Sequence, residues 1–166
     1  MIWGVLFVSL ILLVLVASRA FIPRAYGEMY FKCPKDATCY LASLFFHATW
    51  VLALAQALIS PSGFPDWIRF SGAALFIAGH TLVLWARIVN PFFMPSVIIP
   101  DYIVADGPYR WMKHPGYIGM SLAADGTFFL LGEWWAALPT LAYQCVLGYR
   151  AYLEDRTLSI YFHNYQ

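Results

Sequence analysis

Five long apolar runs, separated by short segments rich in polar residues or proline, make up the hydrophobic pattern of the chain. The runs cover residues 2–21, 40–59, 67–89, 115–131 and 135–153. An α-helix of about 20 apolar residues crosses the roughly 30 Å hydrocarbon core of a bilayer, so each run predicts a membrane span. The pattern therefore predicts an all-α fold, an integral membrane bundle of five transmembrane helices in a single domain.

The segments between the runs contain residues that stop helices. Pro23 follows the first run, a proline-rich turn covers residues 60–65, and Asn90-Pro91 follows the third run. Residues 92–113 are aromatic and interrupted by prolines, so they are predicted to lie at the membrane interface and to cover a site formed by residues 107–114. The helical pattern of the fifth run continues to Tyr161, which is beyond the predicted membrane span.

The composition supports a membrane protein and excludes other classes. Of the 166 residues, 61% are hydrophobic and 11% are charged, which lies outside the range of soluble domains. A net charge of +1 argues against a nucleic-acid partner, which requires a concentrated basic surface. The first run lacks a preceding basic region, so we expect a retained span and not a signal peptide. An odd number of cysteines without metal-site spacing predicts free thiols and no bound metal: Cys33, Cys39 and Cys145.

The basic residues predict the orientation of the bundle. With five spans, nine of the ten Lys and Arg residues fall on one side, and only Arg69 falls on the other. Basic residues are enriched on the cytoplasmic side of membrane proteins, so the N-terminus is expected outside, and the C-terminus and residues 107–114 inside. The nine residues are Arg19, Arg24, Lys32, Lys35, Arg87, Arg110, Lys113, Arg150 and Arg156.

Residues 107–119 place polar and aromatic side chains between two predicted spans. Their sequence is Gly-Pro-Tyr-Arg-Trp-Met-Lys-His-Pro-Gly-Tyr-Ile-Gly. Pro108 and Pro115 fix backbone torsions and favour an extended conformation in the preceding residue, so we predict a turn or loop from Gly107 to His114 and a helix from Pro115. Basic and aromatic side chains in such a segment suit either an interfacial anchor or a site that holds a polar ligand.

Two motifs in this chain resemble those of a membrane enzyme family. The order Gly-Pro-Tyr-Arg-x-x-Lys-His-Pro-x-Tyr-x-Gly resembles the signature of the isoprenylcysteine carboxyl methyltransferases and their phospholipid methyltransferase relatives, in which an Arg usually stands at the position of Lys113. The order Arg150-x-x-x-Glu154-Asp155-x-x-Leu158, continuing to Phe162, is similar to the second motif of that family. The resemblance implies an integral membrane enzyme that uses S-adenosylmethionine to methylate a lipophilic substrate.

The resemblance also implies a cofactor site built from residues 90–117 and 150–166. In the family, an acid of the second motif helps to hold the amino group of the cofactor, a role that passes to Glu154 with Asp155 beside it, and His114 resembles a contact to the adenine edge. The cofactor also carries a carboxylate, which needs a donor, and a sulfonium and an adenine, which suit aromatic walls. The cofactor-binding residues predicted in this way are Tyr109, Arg110, Lys113, His114, Pro115, Tyr117, Glu154 and Asp155.

The chemistry of the acceptor stays open at this point. Methyl transfer from a sulfonium is an in-line displacement that depends on proximity, alignment and exclusion of water. A carboxylate acceptor needs a cation to orient it, for which Arg87 and Arg150 are candidates. An amine acceptor must lose a proton, to Glu154, Asp155 or His114. The predicted catalytic residues are Arg87, Arg150 and Glu154.

Polar residues inside the predicted spans have structural and functional interpretations. Asp125 in the fourth run is either functional or a protonated acid that is bonded to Thr127, His80 or Gln144. Hydrogen bonds between helices are predicted for His47, Gln56, His80 and Gln144.

Two other functions are compatible with the sequence. Membrane sterol reductases look similar across their last spans and bind NADPH, although they typically have Asn-Tyr and Gly-Asp where this chain has Gly116-Tyr117 and Gly119-Met120. A non-enzymatic lipid-binding or transport protein with an anchoring loop would bind no cofactor. The expected partners are membrane lipids and a lipophilic small molecule that enters from the bilayer, and a monomer is expected.

Overall fold

The computed structural model describes residues 2–21, 37–59, 64–93, 99–132 and 134–162 of the chain. Five α-helices account for most of them: α1 (Ile2–Phe21), α2 (Ala37–Ile59), α3 (Asp66–Val89), α4 (Pro115–Leu131) and α5 (Ala137–Tyr161). Short 3-10 helices at Gly107–Arg110 and Trp134–Ala136 precede α4 and α5. No strand occurs in these described ranges, and the predicted all-α class is confirmed.

The helix boundaries follow the apolar runs closely. α1 and α4 have the predicted limits, whereas α2 begins at Ala37, earlier than predicted. α5 begins at Ala137 and not at residue 135, because Trp135 lies in the preceding 3-10 helix and its backbone N–H donates to Gln56 Oε1 at 2.9 Å. The predicted start of the fifth helix was therefore wrong by two residues. Pro23 and residues 60–63 of the predicted turn lie outside the described ranges.

Backbone geometry explains why α3 and α4 end where they do. Asn90, extended at φ −107°, follows the last residue of α3, and its N–H donates to Ala86 O. Gly132 follows α4 in the left-handed conformation at φ 70°, which glycine adopts without the steric cost of a Cβ. The end of α3 coincides with the stop predicted at Asn90-Pro91.

Aromatic contacts show that α1 and α3 run in the same direction. Trp3 meets Phe70 edge-on with 4.9 Å between ring centroids, and Phe7 meets Phe76 with 5.7 Å between centroids. The buried side chains at this end of the bundle come from α1 to α4 and from the 3-10 helix before α5: Phe7, Ala53, Phe76, Leu130, Leu131 and Ala136.

Two hydrogen bonds show that α2 and α5 run in opposite directions. Gln56, near the end of α2, bonds to Trp135 just before α5, whereas Thr38, at the start of α2, bonds to Arg150 near the end of α5. The starts of α2 and α4 and the ends of α3 and α5 lie at the same end of the bundle. We call this end of the bundle the site end.

α3 and α4 pack backbone against backbone. A Cβ placed on Gly79 of α3 would lie 2.5 Å from Ala123 N, and one placed on Gly126 of α4 would overlap Phe76 N. Gly72 and Gly119 make equally close contacts along the same antiparallel seam. Small residues at such positions let membrane helices approach closely, so this pair holds the walls of the site end at a fixed spacing.

Two of the described helices are long and apolar enough to cross a membrane. They cover Ala37–Gln56 and Asp66–Val89, with mean hydropathies of 1.5 and 1.6, and a shorter apolar helix covers Trp3–Ala17. Many large apolar side chains on these helices are exposed, among them Leu44, Val51 and Phe70. Outward-facing apolar side chains of this kind suit a lipid environment.

Candidate active site

The motif that precedes α4 folds as a tight turn at the site end. Gly107 has φ 57° and begins the 3-10 helix, so the predicted turn or loop contains one short helical turn. Trp111 ends it with an N–H bond to Pro108 O at 3.2 Å. His114 then caps α4, and its carbonyl accepts the N–H of Ile118 at 3.1 Å. The first turn of α4 thus fixes the backbone of His114.

His114 joins this turn to the end of α5. Its Nε2 lies 3.0 Å from Asp155 Oδ1, within hydrogen-bond distance, and its Nδ1 lies 3.6 Å from Glu154 Oε2. The His114 side chain is 15% exposed, against 33% for Glu154 and 42% for Asp155. This hydrogen bond joins two residues that are 41 positions apart in the sequence, one from each motif. The two sequence motifs therefore meet in one cluster.

Tyr117 and Arg150 extend the cluster into the bundle. Tyr117 lies one turn beyond His114, with 5.6 Å between their ring centroids, and its hydroxyl hydrogen-bonds with Glu154 and Arg150. Arg150 is 4% exposed, and its guanidinium donates to Thr38 Oγ1 of α2. Arg150 and Glu154 share one face of α5 because they are four residues apart. A cation and an acid thus stand side by side at the site end.

The end of α3 supplies a second cation. Arg87 Cζ lies 5.0 Å from the ring centroid of Phe93, a cation–π geometry. The Phe93 ring occupies space that a side chain at Gly116 would need, because a Cβ there would overlap Phe93 Cε2. Gly116 stands at a position that the first motif leaves unspecified. Because Gly116 has no side chain, the Phe93 ring that contacts Arg87 fits there.

One cavity of about 400 Å³ connects these groups. The predicted residues Arg87, Tyr109, Lys113, His114, Tyr117, Arg150 and Glu154 line it. Its walls continue into the bundle between α2, α3, α4 and α5, where Phe46, Val83, Met120 and Leu147 make it apolar. The cavity is therefore polar at the site end and apolar towards the middle of the helices.

Three predicted cofactor-binding residues do not line this cavity. Arg110 is exposed, Pro115 is buried at the start of α4, and Asp155 contacts the back of His114. Pro115 and Asp155 therefore position His114 in this structure, and the predicted contacts of all three with a cofactor stay predictions. Trp111 also faces away, and its ring meets Trp85 at 5.8 Å between centroids.

Burial perturbs the titration of Glu154 and Tyr109 at the site end. Burial raises the pKa of the Glu154 carboxyl above the ordinary range of glutamate, although His114, Tyr117 and Arg150 oppose the shift. Burial also raises the pKa of Tyr109 to about 12, so its hydroxyl stays protonated and can donate. Because a neighbouring positive charge favours a carboxylate, a bound ammonium and an ionised Glu154 would stabilise each other.

The hydrogen bonds of the polar residues within the helices differ in part from the prediction. Asp125 accepts a bond from Gln144 Nε2 at 2.5 Å, one of the predicted partners, and Gln56 also bonds outside its own helix. The prediction was wrong for His47 and His80. Their Nδ1 atoms bond to Ser43 O at 2.6 Å and Phe76 O at 2.9 Å, each within its own helix.

The sequence interpretation missed several residues of the cavity wall. His47, His80 and Tyr143 line it, yet each stands alone in an apolar run without a neighbouring motif. Asn90, by contrast, belongs to the predicted segment 90–117, and it hydrogen-bonds to Tyr109 and lines the cavity. Its side chain additionally accepts the Phe92 N–H at 2.8 Å, which orients the segment after α3 over the cavity.

A comparison with models of protein families bears on the open functions. The model of the phospholipid methyltransferase family matches residues 67–164, more than half of the 166 residues. The chain belongs to the phospholipid methyltransferase family. Comparisons with curated proteins and with solved structures found no match. The resemblance inferred from the two motifs is therefore confirmed, and family membership implies methyltransferase activity.

The part of this methyltransferase that matches its family contains the whole polar cluster. It begins at the second residue of α3 and continues beyond α5, so it includes Arg87, the turn before α4 and both acids of the second motif. α1 and α2 lie outside the match. They nevertheless contribute to the cavity wall, through residues such as Val14 and Phe46.

Proposed function

We propose that this methyltransferase transfers a methyl group from S-adenosylmethionine to a lipophilic acceptor at the cytoplasmic face of a membrane. The observation that carries the proposal is the single cavity that joins His114 and Glu154 to an apolar interior between the helices. A polar cofactor and a lipid acceptor need these two environments next to each other. The family match supports methyl transfer, and methyltransferases of this family generally use this cofactor.

The residues at the site end fit the groups of S-adenosylmethionine. A volume of about 400 Å³ lies in the usual range for small-molecule sites. Glu154 can accept from the ammonium, Lys113 can donate to the carboxylate, and the rings of Tyr109 and Tyr117 can face the sulfonium or the adenine. When bound, the cofactor supplies an electrophilic methyl group on a sulfonium. His114 keeps its predicted role at the adenine edge, for which it would have to share or release its bond to Asp155.

The chain promotes the reaction by positioning and by excluding water. The close α3–α4 seam keeps Arg87 and Tyr117 at a fixed spacing, and fixed geometry is the main source of rate enhancement in a displacement of this kind. Arg87 lines the cavity beside the apolar region, where its guanidinium would orient an anionic headgroup of the acceptor. Arg150 is the second cation available for this purpose, held by its bond to Thr38.

The proposed topology has five spans, with the N-terminus outside and the site end in the cytoplasm. The antiparallel order of α3, α4 and α5 and the placement of Arg87, Lys113 and Arg150 at the site end support it. Arg69 lies near Trp3, at 5.6 Å from its ring, towards the opposite end. The cofactor would enter from the cytosol, and the acceptor would enter from the bilayer.

Methyl transfer to a lipid extract tests the proposal. Detergent-purified protein is incubated with methyl-labelled S-adenosylmethionine and a total lipid extract, and label is expected in the lipid fraction. Glu154→Gln should abolish most of it, whereas Asp66→Asn, an exposed acid in the first turn of α3, should not. Absence of labelled lipid together with binding of NADPH would favour a reductase, and absence of both would favour a lipid-binding protein.

A further inference from the structure

The imidazole of His80 lines the wall of the cavity between the helices. Nδ1 of His80 lies 2.9 Å from the carbonyl oxygen of Phe76. Because a carbonyl oxygen can only accept, Nδ1 carries the hydrogen, and Nε2 of the neutral ring carries the lone pair. The His80 ring also contacts the Phe76 ring, with 4.2 Å between centroids and 39° between the ring planes. These contacts fix the tautomer and the orientation of the ring.

His80 stands where two cavities meet. It lines the main cavity, and it also lines a second, smaller cavity of about 130 Å³ between α1 and α3. The two cavities share Val14, His80 and Leu84. The smaller one is otherwise apolar apart from Thr81, and Leu13 on its rim is 63% exposed. A lipid that enters between α1 and α3 would bring its headgroup past His80.

The groups already assigned to the cofactor are poorly placed for the same task. His114 and Asp155 bond to each other, and Glu154 faces His114, Tyr117 and Arg150 at the site end. His80 lies seven residues before Arg87 on α3, which is two helical turns deeper in the bundle and on the same face. Arg87 can therefore hold an anionic part of a headgroup while His80 reaches a group farther along it.

We propose that Nε2 of His80 is the proton acceptor for an amine acceptor in the methyl transfer reaction. This rests on the proposed function, and it selects a lipid amine over a carboxylate, which has no proton to lose. The ammonium of the acceptor gives one proton to Nε2 and becomes a neutral amine. The nitrogen lone pair then forms the bond to the methyl carbon, the carbon–sulfur bond breaks, and its electron pair stays on sulfur as the thioether of S-adenosylhomocysteine. The imidazolium releases its proton to water at the site end.

The surroundings of His80 determine how this step depends on pH. Arg87 is the charged group that faces it from its own helix. The other titratable groups that line the main cavity are Cys39 and His47 on α2, Tyr102, Tyr109, Lys113 and His114 before α4, Tyr117 on α4, and Tyr143, Arg150 and Glu154 on α5. Within the described part of α1, the wall residues Leu10, Leu13, Val14 and Ala17 do not titrate.

The test compares His80→Gln with Ser71→Ala in detergent micelles that contain dioleoylphosphatidylethanolamine. Ser71 is a suitable control because it lies on the same helix and its hydroxyl also donates to a carbonyl of that helix, Trp67 O at 2.9 Å, but it is exposed and lines neither cavity. At pH 7 the His80 variant should lose about 100-fold in turnover, and the Ser71 variant should stay within about threefold of the wild type. The affinity for S-adenosylhomocysteine, measured by calorimetry, should be unchanged in both.

The pH profile and chemical rescue separate a proton acceptor from a structural residue. Without the base, turnover follows the fraction of neutral amine, so the His80→Gln rate should rise about tenfold per pH unit, while the wild-type rate levels off. Imidazole added to the buffer should restore part of the activity, and His80→Asn should behave like His80→Gln if the latter folds poorly.

Several outcomes would overturn the proposal. They are an unchanged pH profile in the His80 variants, equal losses of turnover in the Ser71 and His80 variants, loss of S-adenosylhomocysteine binding in the His80 variants, or methylation of carboxylate lipids only. If the wild type itself fails to bind S-adenosylhomocysteine, the proposed function fails, and this result is distinguishable from the others.

Discussion

The backbone contact between α3 and α4 leads to a quantitative prediction for Gly79→Ala. The new Cβ would lie 2.5 Å from both Ala123 N and Gly119 O, and 3.0 Å from Ala123 Cα. Carbon atoms in contact prefer about 3.5–4.0 Å, so the two helices would have to separate by about 1 Å at this point. Neither neighbour is a flexible side chain that could move aside. Overpacking of this kind costs about 1–3 kcal/mol.

Gly148→Ala provides the matched control for this prediction. Gly148 lies in α5, and a Cβ added there would meet no heavy atom within 4 Å beyond its own stretch of helix. Replacing a glycine inside a helix by alanine stabilises it by about 0.5–1 kcal/mol when nothing is displaced. The two substitutions, chemically identical, should therefore change the free energy of unfolding in opposite directions.

Thermal unfolding in detergent, followed by tryptophan fluorescence, measures the difference. At about 2–4 °C per kcal/mol for a domain of this size, Gly79→Ala should lower Tm by about 2–12 °C, and Gly148→Ala should raise it by about 1–4 °C. Because α3 and α4 carry adjacent walls of the cavity, Gly79→Ala should also weaken binding of S-adenosylhomocysteine. Equal Tm values for the two variants would refute the close packing of α3 and α4.

Three further predictions concern the polar contacts. Burial raises the pKa of Glu154, and the ammonium of the ligand requires the ionised carboxylate. As the pH is lowered, the affinity for S-adenosylhomocysteine should therefore begin to fall at a pH above the ordinary pKa range of glutamate. Calorimetry at several pH values measures this, and an affinity that stays constant down to that range would contradict it. Tyr117→Phe removes a hydroxyl that bonds to Glu154 and Arg150 and should weaken the same binding about fivefold, for a bond of about 1 kcal/mol; an unchanged dissociation constant would count against the bond. Gln144→Leu removes the α5 side chain that donates a hydrogen bond to Asp125 of α4. It should lower the free energy of unfolding by about 1 kcal/mol, and an unchanged Tm would argue against that bond.

The helices could be predicted well because the hydrophobic pattern determines them locally. The limits of α1 and α4 follow from where apolar residues begin and end, and Pro115 marks the start of α4 through its own backbone chemistry. The error at the start of α5 arose from a contact distant in sequence. Trp135 looks like the first residue of an apolar helix, but its N–H is held by Gln56 of α2.

The candidate site could be predicted only as far as its motifs extend. The resemblance of two segments brought His114 and Glu154 together before any geometry was known. The support of Arg87 by Phe93, the deeper position of His80 and the glycine seam depend on which helices are neighbours. A single histidine or glycine in an apolar run has no local signal that reveals its neighbour, so these features required the structure.

The direct test of the central claim is a calorimetric titration of the detergent-purified wild type, Glu154→Gln and Asp66→Asn with S-adenosylhomocysteine. The wild type and Asp66→Asn should bind with the same affinity. Loss of a charged hydrogen bond worth about 1.5–3 kcal/mol should weaken binding to Glu154→Gln by about 10- to 150-fold. Equal binding by all three proteins, or no binding by the wild type, would contradict a cofactor site between His114 and Glu154.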